Sequence, residues 1–151
     1  MDLQTLAATP FATDDDVLTL LAAFNDGSLP RVAWNHRAHL TAALDIARTI
    51  PATGRLAAIS SAILRFNASA GIENTPDSGY HQTLTVFYMR VVELHVARHP
   101  GFTSIASDAN LLYAEWGDRE LPLRHYSRER LFSREARAGW VAPDLRALPS
   151  Y

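Results

Sequence analysis

The chain has 151 residues, 48% of them hydrophobic, and a formal charge of -2. That is enough for one domain with one core, and the charge gives no reason to expect nucleic acid or an anionic membrane surface as partner. There is no cysteine, and all 14 basic residues are arginine. Disulfides, thiolate ligands, iron–sulfur clusters, lysine Schiff bases and a P-loop are therefore excluded. Any metal must be held by nitrogen and oxygen.

The punctuation predicts helices joined by short loops. Thr13 followed by Asp14, Asp15 and Asp16 is a helix start, because carboxylates favour the positive end of the helix dipole. Val17, Leu20, Leu21 and Phe24 make its apolar stripe and Gly27 ends it. A second helix begins at Pro30 or Asn35 and runs to Thr49, with Pro51 just beyond. His36, His39, Ala43 and Ile46 share one of its stripes. A third covers Leu56 to Asn67, with Leu56, Ile59, Ile63 and Phe66 in register.

A polar, turn-rich loop follows from Ser69 to Gly79. The fourth helix, Tyr80 to Arg98, is apolar almost all round, which predicts the central, most buried position. Glu93 on it is expected to be buried and paired with Arg65 or Arg48. His99-Pro100-Gly101 stops it. A fifth helix runs from Ser104 to Trp116, bounded by Gly117, and a last one from the Ser127 cap to Gly139. The expectation is an all-α, single-domain bundle of about five or six helices, with 1–12 and 140–151 as extended termini. No apolar run approaches the roughly 20 residues that span a bilayer. The start, Met1-Asp2-Leu3-Gln4, lacks the basic n-region of a signal peptide, so a cytoplasmic location is expected.

Three histidines carry the functional reading. His36 and His39 stand at i,i+3 and project from one helix face; His81 opens the apolar fourth helix. Two helices would thus bring three imidazoles together, a set suited to a divalent metal. Near a helix N-terminus the dipole disfavours imidazolium, so His81 and, if Asn35 is the cap, His36 are predisposed to the neutral ligand form. Zinc and ferrous iron lead, with copper behind. The competing role for each is ordinary: capping a helix or bonding a buried carbonyl.

Around that centre, Glu73 is the first choice as proton carrier or fourth ligand, against the plainer role of a solvated loop acid. Gln82 is no base but can orient a substrate. Tyr88, seven residues after His81, lies on the same face and can bring its hydroxyl over the metal. His95 lies about 21 Å along the axis from His81 and is excluded from a shared mononuclear site, as are His99 and His125 beside loop signals. The arginines of the C-terminal third alternate with glutamates as on a solvated face.

Trp34-Asn35-His36-Arg37-Ala38-His39-Leu40, Gly79-Tyr80-His81-Gln82-Thr83-Leu84-Thr85, and Tyr126-Ser127 with Ala136-Arg137-Ala138-Gly139-Trp140-Val141-Ala142-Pro143-Asp144 together resemble an uncharacterised family of small bacterial proteins. The resemblance spans Leu29 to Leu148 and brings no activity with it. It implies a glutamate where this chain has Gln82, so a role as base or ligand at that position would be altered here. The leading expectation is a metal-dependent enzyme with a His36/His39/His81 site acting on a small organic molecule by Lewis-acid hydrolysis or oxygen activation. The runner-up is a non-catalytic helical module that binds a ligand or a protein. A metal-free acid–base enzyme using His81 and Glu73 ranks third.

Overall fold

The computed structural model describes residues 1–150. They form eight α-helices: α1 (Leu3–Ala8), α2 (Asp14–Asp26), α3 (His36–Thr49), α4 (Arg55–Ser69), α5 (Gln82–Arg98), α6 (Ile105–Trp116), α7 (Arg128–Leu131) and α8 (Arg134–Ala138). Five are long, α2 to α6, and no strand occurs among the described residues, as the all-α expectation holds.

Local chemistry sets most boundaries. Thr13 caps α2 in a reciprocal capping box with Asp16, which satisfies two otherwise orphaned N–H groups. Gly27 closes that helix at φ 81°, a left-handed conformation that favours glycine. Asn35, rather than Pro30, begins α3. Its Oδ1 accepts from the Ala38 N–H at 2.9 Å while its Nδ2 donates to the Ala7 carbonyl at 2.9 Å. Residues Arg31–Ala33 form a separate 3-10 turn.

Three departures from the sequence reading have physical causes. The segment 1–12 is not wholly extended: Asp2 accepts from the Thr5 N–H and starts α1, whose Leu6 and Ala7 are buried in the core. The last expected helix is two short ones, because the Ser133 hydroxyl accepts from the Ala136 N–H and restarts the turn as α8. Glu93 is only half-buried, and its nearest cation is Arg55 at 3.7 Å. Arg48 is already committed to Asp108. Residues 140–150 form neither helix nor strand, and residue 151 lies outside the described residues.

Two apolar clusters explain why α5 is apolar all round. Met89 and Val92 face the main core with Phe24, Leu40, Leu44, Ile59, Ile63 and Phe66. Phe87 and Val91 face a second cluster with Leu121, Tyr126 and Leu131. The helix is thus the shared wall between the bundle and a C-terminal cap built from α7, α8 and the tail. Tyr126 is fully buried and donates to the Val141 carbonyl at 2.8 Å.

Thr83, also fully buried, donates its hydroxyl to the Gly139 carbonyl at 2.9 Å and accepts from the Val141 N–H at 3.2 Å. Thr83→Val keeps the shape but orphans both backbone groups. It should cost about 1–3 kcal/mol in denaturant unfolding. A loss below a few tenths of a kcal/mol would show that the cap is not held through this residue.

Candidate functional site

Between α3, α4 and α5 lies a cavity of about 400 Å³. Its walls include Leu40, Ala43, Ile59, Ile63, Ile72, Leu84 and Met89, and its polar lining includes His36, His39, Asn67, His81, Thr85, Tyr88 and Arg119. The helix-face argument therefore works for α3: both of its histidines reach one cavity, and Tyr88 joins them from α5. Among the described residues no carboxylate lines it. A smaller recess of about 120 Å³ adjoins it, sharing Asn35, His36 and Arg119 and adding Arg37 and Tyr113. The guanidinium of Arg37 lies over the Tyr113 ring at 3.9 Å.

The three imidazoles differ in what their nitrogens do. His39 stacks on Trp34 with ring centroids 3.7 Å apart. Burial first, then the neighbouring His36 and Arg119, bring its imidazole down to about 3, so the ring is neutral at any ordinary pH. His36 is also pulled below the usual imidazole value, by burial and then Arg119, with Asp118 opposing. Its Nε2 is buried and has no hydrogen-bond partner among the described residues. The Tyr88 ring meets it edge-on at 5.0 Å, and burial raises the Tyr88 phenol.

His81 behaves otherwise. Its Nδ1 accepts from the Leu84 N–H at 3.1 Å, which caps α5, and its Nε2 lies 2.8 Å from the Leu131 carbonyl. A carbonyl only accepts, so Nε2 carries the proton and Nδ1 the lone pair. Burial holds this imidazole below its usual value, while the bond to Leu131 opposes that shift. Both nitrogens are committed to backbone, leaving none for a metal. The expected His36/His39/His81 centre is not assembled.

The supporting residues also need correction. Glu73 is exposed and does not line the cavity. The loop it belongs to packs so tightly that a Cβ on Gly79, at φ 82°, would meet the Glu73 carbonyl. Gln82 does not line the cavity, and its Oε1 accepts from the hydroxyl of Tyr80, which does, at 2.6 Å. Of the expected catalytic set only Tyr88 reaches the cavity. Sequence reasoning missed Arg119, whose position depends on the turn after α6, and Asn67, which donates to Asn74 at 3.0 Å.

A metal-competent group does exist elsewhere. One ligand atom from each of His95, His99 and Glu115 lies within 4.8 Å of the other two, the sole such group among the described residues. Two of the three excluded histidines, His95 and His99, are thus neighbours at i,i+4 at the C-terminal end of α5, with Glu115 supplied by α6. His125, expected to be solvated or to cap a terminus, is buried at the end of the 3-10 turn Leu121–Arg124, with its Nδ1 2.8 Å from the Ala147 carbonyl.

A histidine that stays neutral when folded but titrates near 6.5 when unfolded binds fewer protons in the folded state between those values. Stability is then full above pH 6.5 and falls as pH drops toward about 3. His39 alone should give a slope approaching about 1.4 kcal/mol per pH unit, and His36 adds in the same direction. Denaturant melts between pH 7 and 5.5 should show this slope, reduced in His39→Gln. An unchanged slope in that variant would mean His39 titrates normally in the folded chain.

Comparison with known proteins gives no match: no protein-family model, no curated protein and no solved structure is similar to this chain.

Proposed function

We propose that the protein binds a small organic molecule with an apolar body and an anionic head, of the carboxylate class, in the cavity between α3, α4 and α5. The observation that carries this reading is the buried, unpartnered Nε2 of His36 beside Arg119. A buried polar atom without a partner calls for a physical reason, and a ligand oxygen supplies one. The cavity's volume lies in the range of small-molecule sites, and its apolar walls with few polar groups match their usual lining.

Charge selects the head group. Arg119 borders both the cavity and the recess, Arg37 borders the recess, and among the described residues no carboxylate lines either one. A cation would meet guanidinium and at most two free imidazoles. A carboxylate would pair with Arg119 and accept from the Nε2–H tautomer of His36. Its apolar tail would lie on Leu40, Ile59, Ile63 and Met89.

This supports the runner-up reading, a ligand-binding helical module, ahead of a metal-dependent reaction inside the cavity. Hydrolysis or oxygen activation by zinc, iron or copper at the three histidines requires His81 to give up the Leu84 N–H, whichever nitrogen ligates, which would uncap α5. Neutral His36, which lines the cavity, is the residue through which an acid–base reaction on the bound molecule would run.

The test is calorimetric titration with a matched series of short-chain and aromatic carboxylates, their primary amides and their amines. Carboxylates should bind, amides should bind more weakly and amines not at all. Arg119→Gln should weaken carboxylate binding about tenfold, with His36→Phe also reducing it and the folded state retained. Equal affinity for carboxylate and amine, or indifference to Arg119, would sink the proposal.

A further inference from the structure

His95 is fully buried, yet only one of its ring nitrogens has a partner. Nε2 lies 2.7 Å from Oδ1 of Asp108, itself buried. Arg48 grips the same carboxylate twice, Nε to Oδ2 at 2.9 Å and an Nη to Oδ1 at 3.0 Å. A carboxylate held by a bidentate guanidinium is ionised and only accepts, so Nε2 of His95 carries a proton. Nδ1 is then the open position, buried and without any hydrogen-bond partner. In a neutral imidazole it is a fixed lone pair; in an imidazolium it would be a buried donor with no acceptor, and Arg48 already neutralises Asp108.

His95 belongs to the group of His95, His99 and Glu115, and with Nε2 on Asp108 its Nδ1 is the nitrogen left to ligate. The His95 and His99 ring centroids are 4.8 Å apart, and Nε2 of His99 is 3.7 Å from Oε2 of Glu115. The side chains of His99 and Glu115 are 34% and 40% exposed, so they have room to close on an ion while His95 stays fixed.

We infer that His95, His99 and Glu115 form a mononuclear zinc-class site joining the C-terminal end of α5 to α6. Two imidazoles and one carboxylate are a recurrent donor set for zinc and ferrous iron, and the fourth position stays open to solvent. Asp108 serves as the carboxylate that orients a ligating histidine through its other nitrogen, the commonest outer-shell arrangement around such ions. Arg48 anchors Asp108 to α3, so a bound ion would tie three helices together. At zinc bond lengths of about 2.0–2.2 Å the donor atoms stand about 3.3 Å apart, a distance reached by rotating the two half-exposed side chains. The site is independent of the cavity: His95 is seven residues, about 10 Å along α5, beyond Tyr88.

The test is calorimetric titration of Zn²⁺ into untagged, metal-stripped full-length protein. One ion per chain should bind with a dissociation constant in the micromolar range or below, and the ion should raise the melting temperature. His99→Ala and Glu115→Gln, both at half-exposed positions that the fold does not need, should each weaken binding at least about tenfold. His36→Ala and His39→Gln should leave it unchanged. No binding at 100 μM Zn²⁺, affinity retained in the His99→Ala/Glu115→Gln double variant, or loss on changing His36 would each overturn the inference. Because the carboxylate titration reads the cavity and the zinc titration reads this site, each proposal fails separately.

Discussion

The molecule turns on one neutral imidazole. His81 accepts from the Leu84 N–H with Nδ1 and donates to the Leu131 carbonyl with Nε2, so a single ring caps the central helix and fastens the C-terminal segment to it. Neither bond survives a change of tautomer. Protonation would remove the lone pair that caps α5, and burial already resists that step. Because α5 is the wall between two apolar clusters, the way its first turn is held also fixes the Ser69–Gly79 loop and the cavity that Gly79, Tyr80 and Ile72 help to line.

Around this clasp the remaining histidines sort by the charges placed near them. In the cavity, burial and then Arg119 disfavour a positive charge on His36, and burial, then His36 and Arg119, do so on His39, which makes the interior receptive to an anion. Two turns further along α5 the arrangement inverts. His95 is backed by an ionised Asp108 and faces His99 and Glu115, which makes that position receptive to a cation. The same residue type thus serves three ends, and the difference lies in whether its neighbour is a backbone amide, a guanidinium or a carboxylate.

Much of the fold was legible because it rests on local rules. The Thr13 capping box, the Gly27 stop, the stripe of Ile59, Ile63 and Phe66 and the burial of α5 all follow from residue spacing. The split of the last helix at Ser133 was not legible, since a serine in a helical pattern reads equally as surface. The pairing of His36 with His39 in one cavity followed from their spacing on α3. The role of His81 did not, because its partner Leu131 lies 50 residues away and a carbonyl leaves no mark in sequence. His95 and His99 stand at a helical spacing as informative as that of His36 and His39. Distance from His81 sets His95 apart and the adjacent loop signals set His99 apart, while Asp108 and Glu115, the acids that give them meaning, come from α6.

The claim at the centre of this account is that His81 is a neutral clasp and no ligand. Long-range ¹H–¹⁵N correlation spectra of the histidine side chains, recorded near pH 7 with and without one equivalent of Zn²⁺, test it most directly. His81 should show the Nε2–H tautomer with an accepting Nδ1, and its signals should be unmoved by the metal. An Nδ1–H tautomer, an imidazolium, or a His81 resonance shifted or broadened by Zn²⁺ would contradict the account.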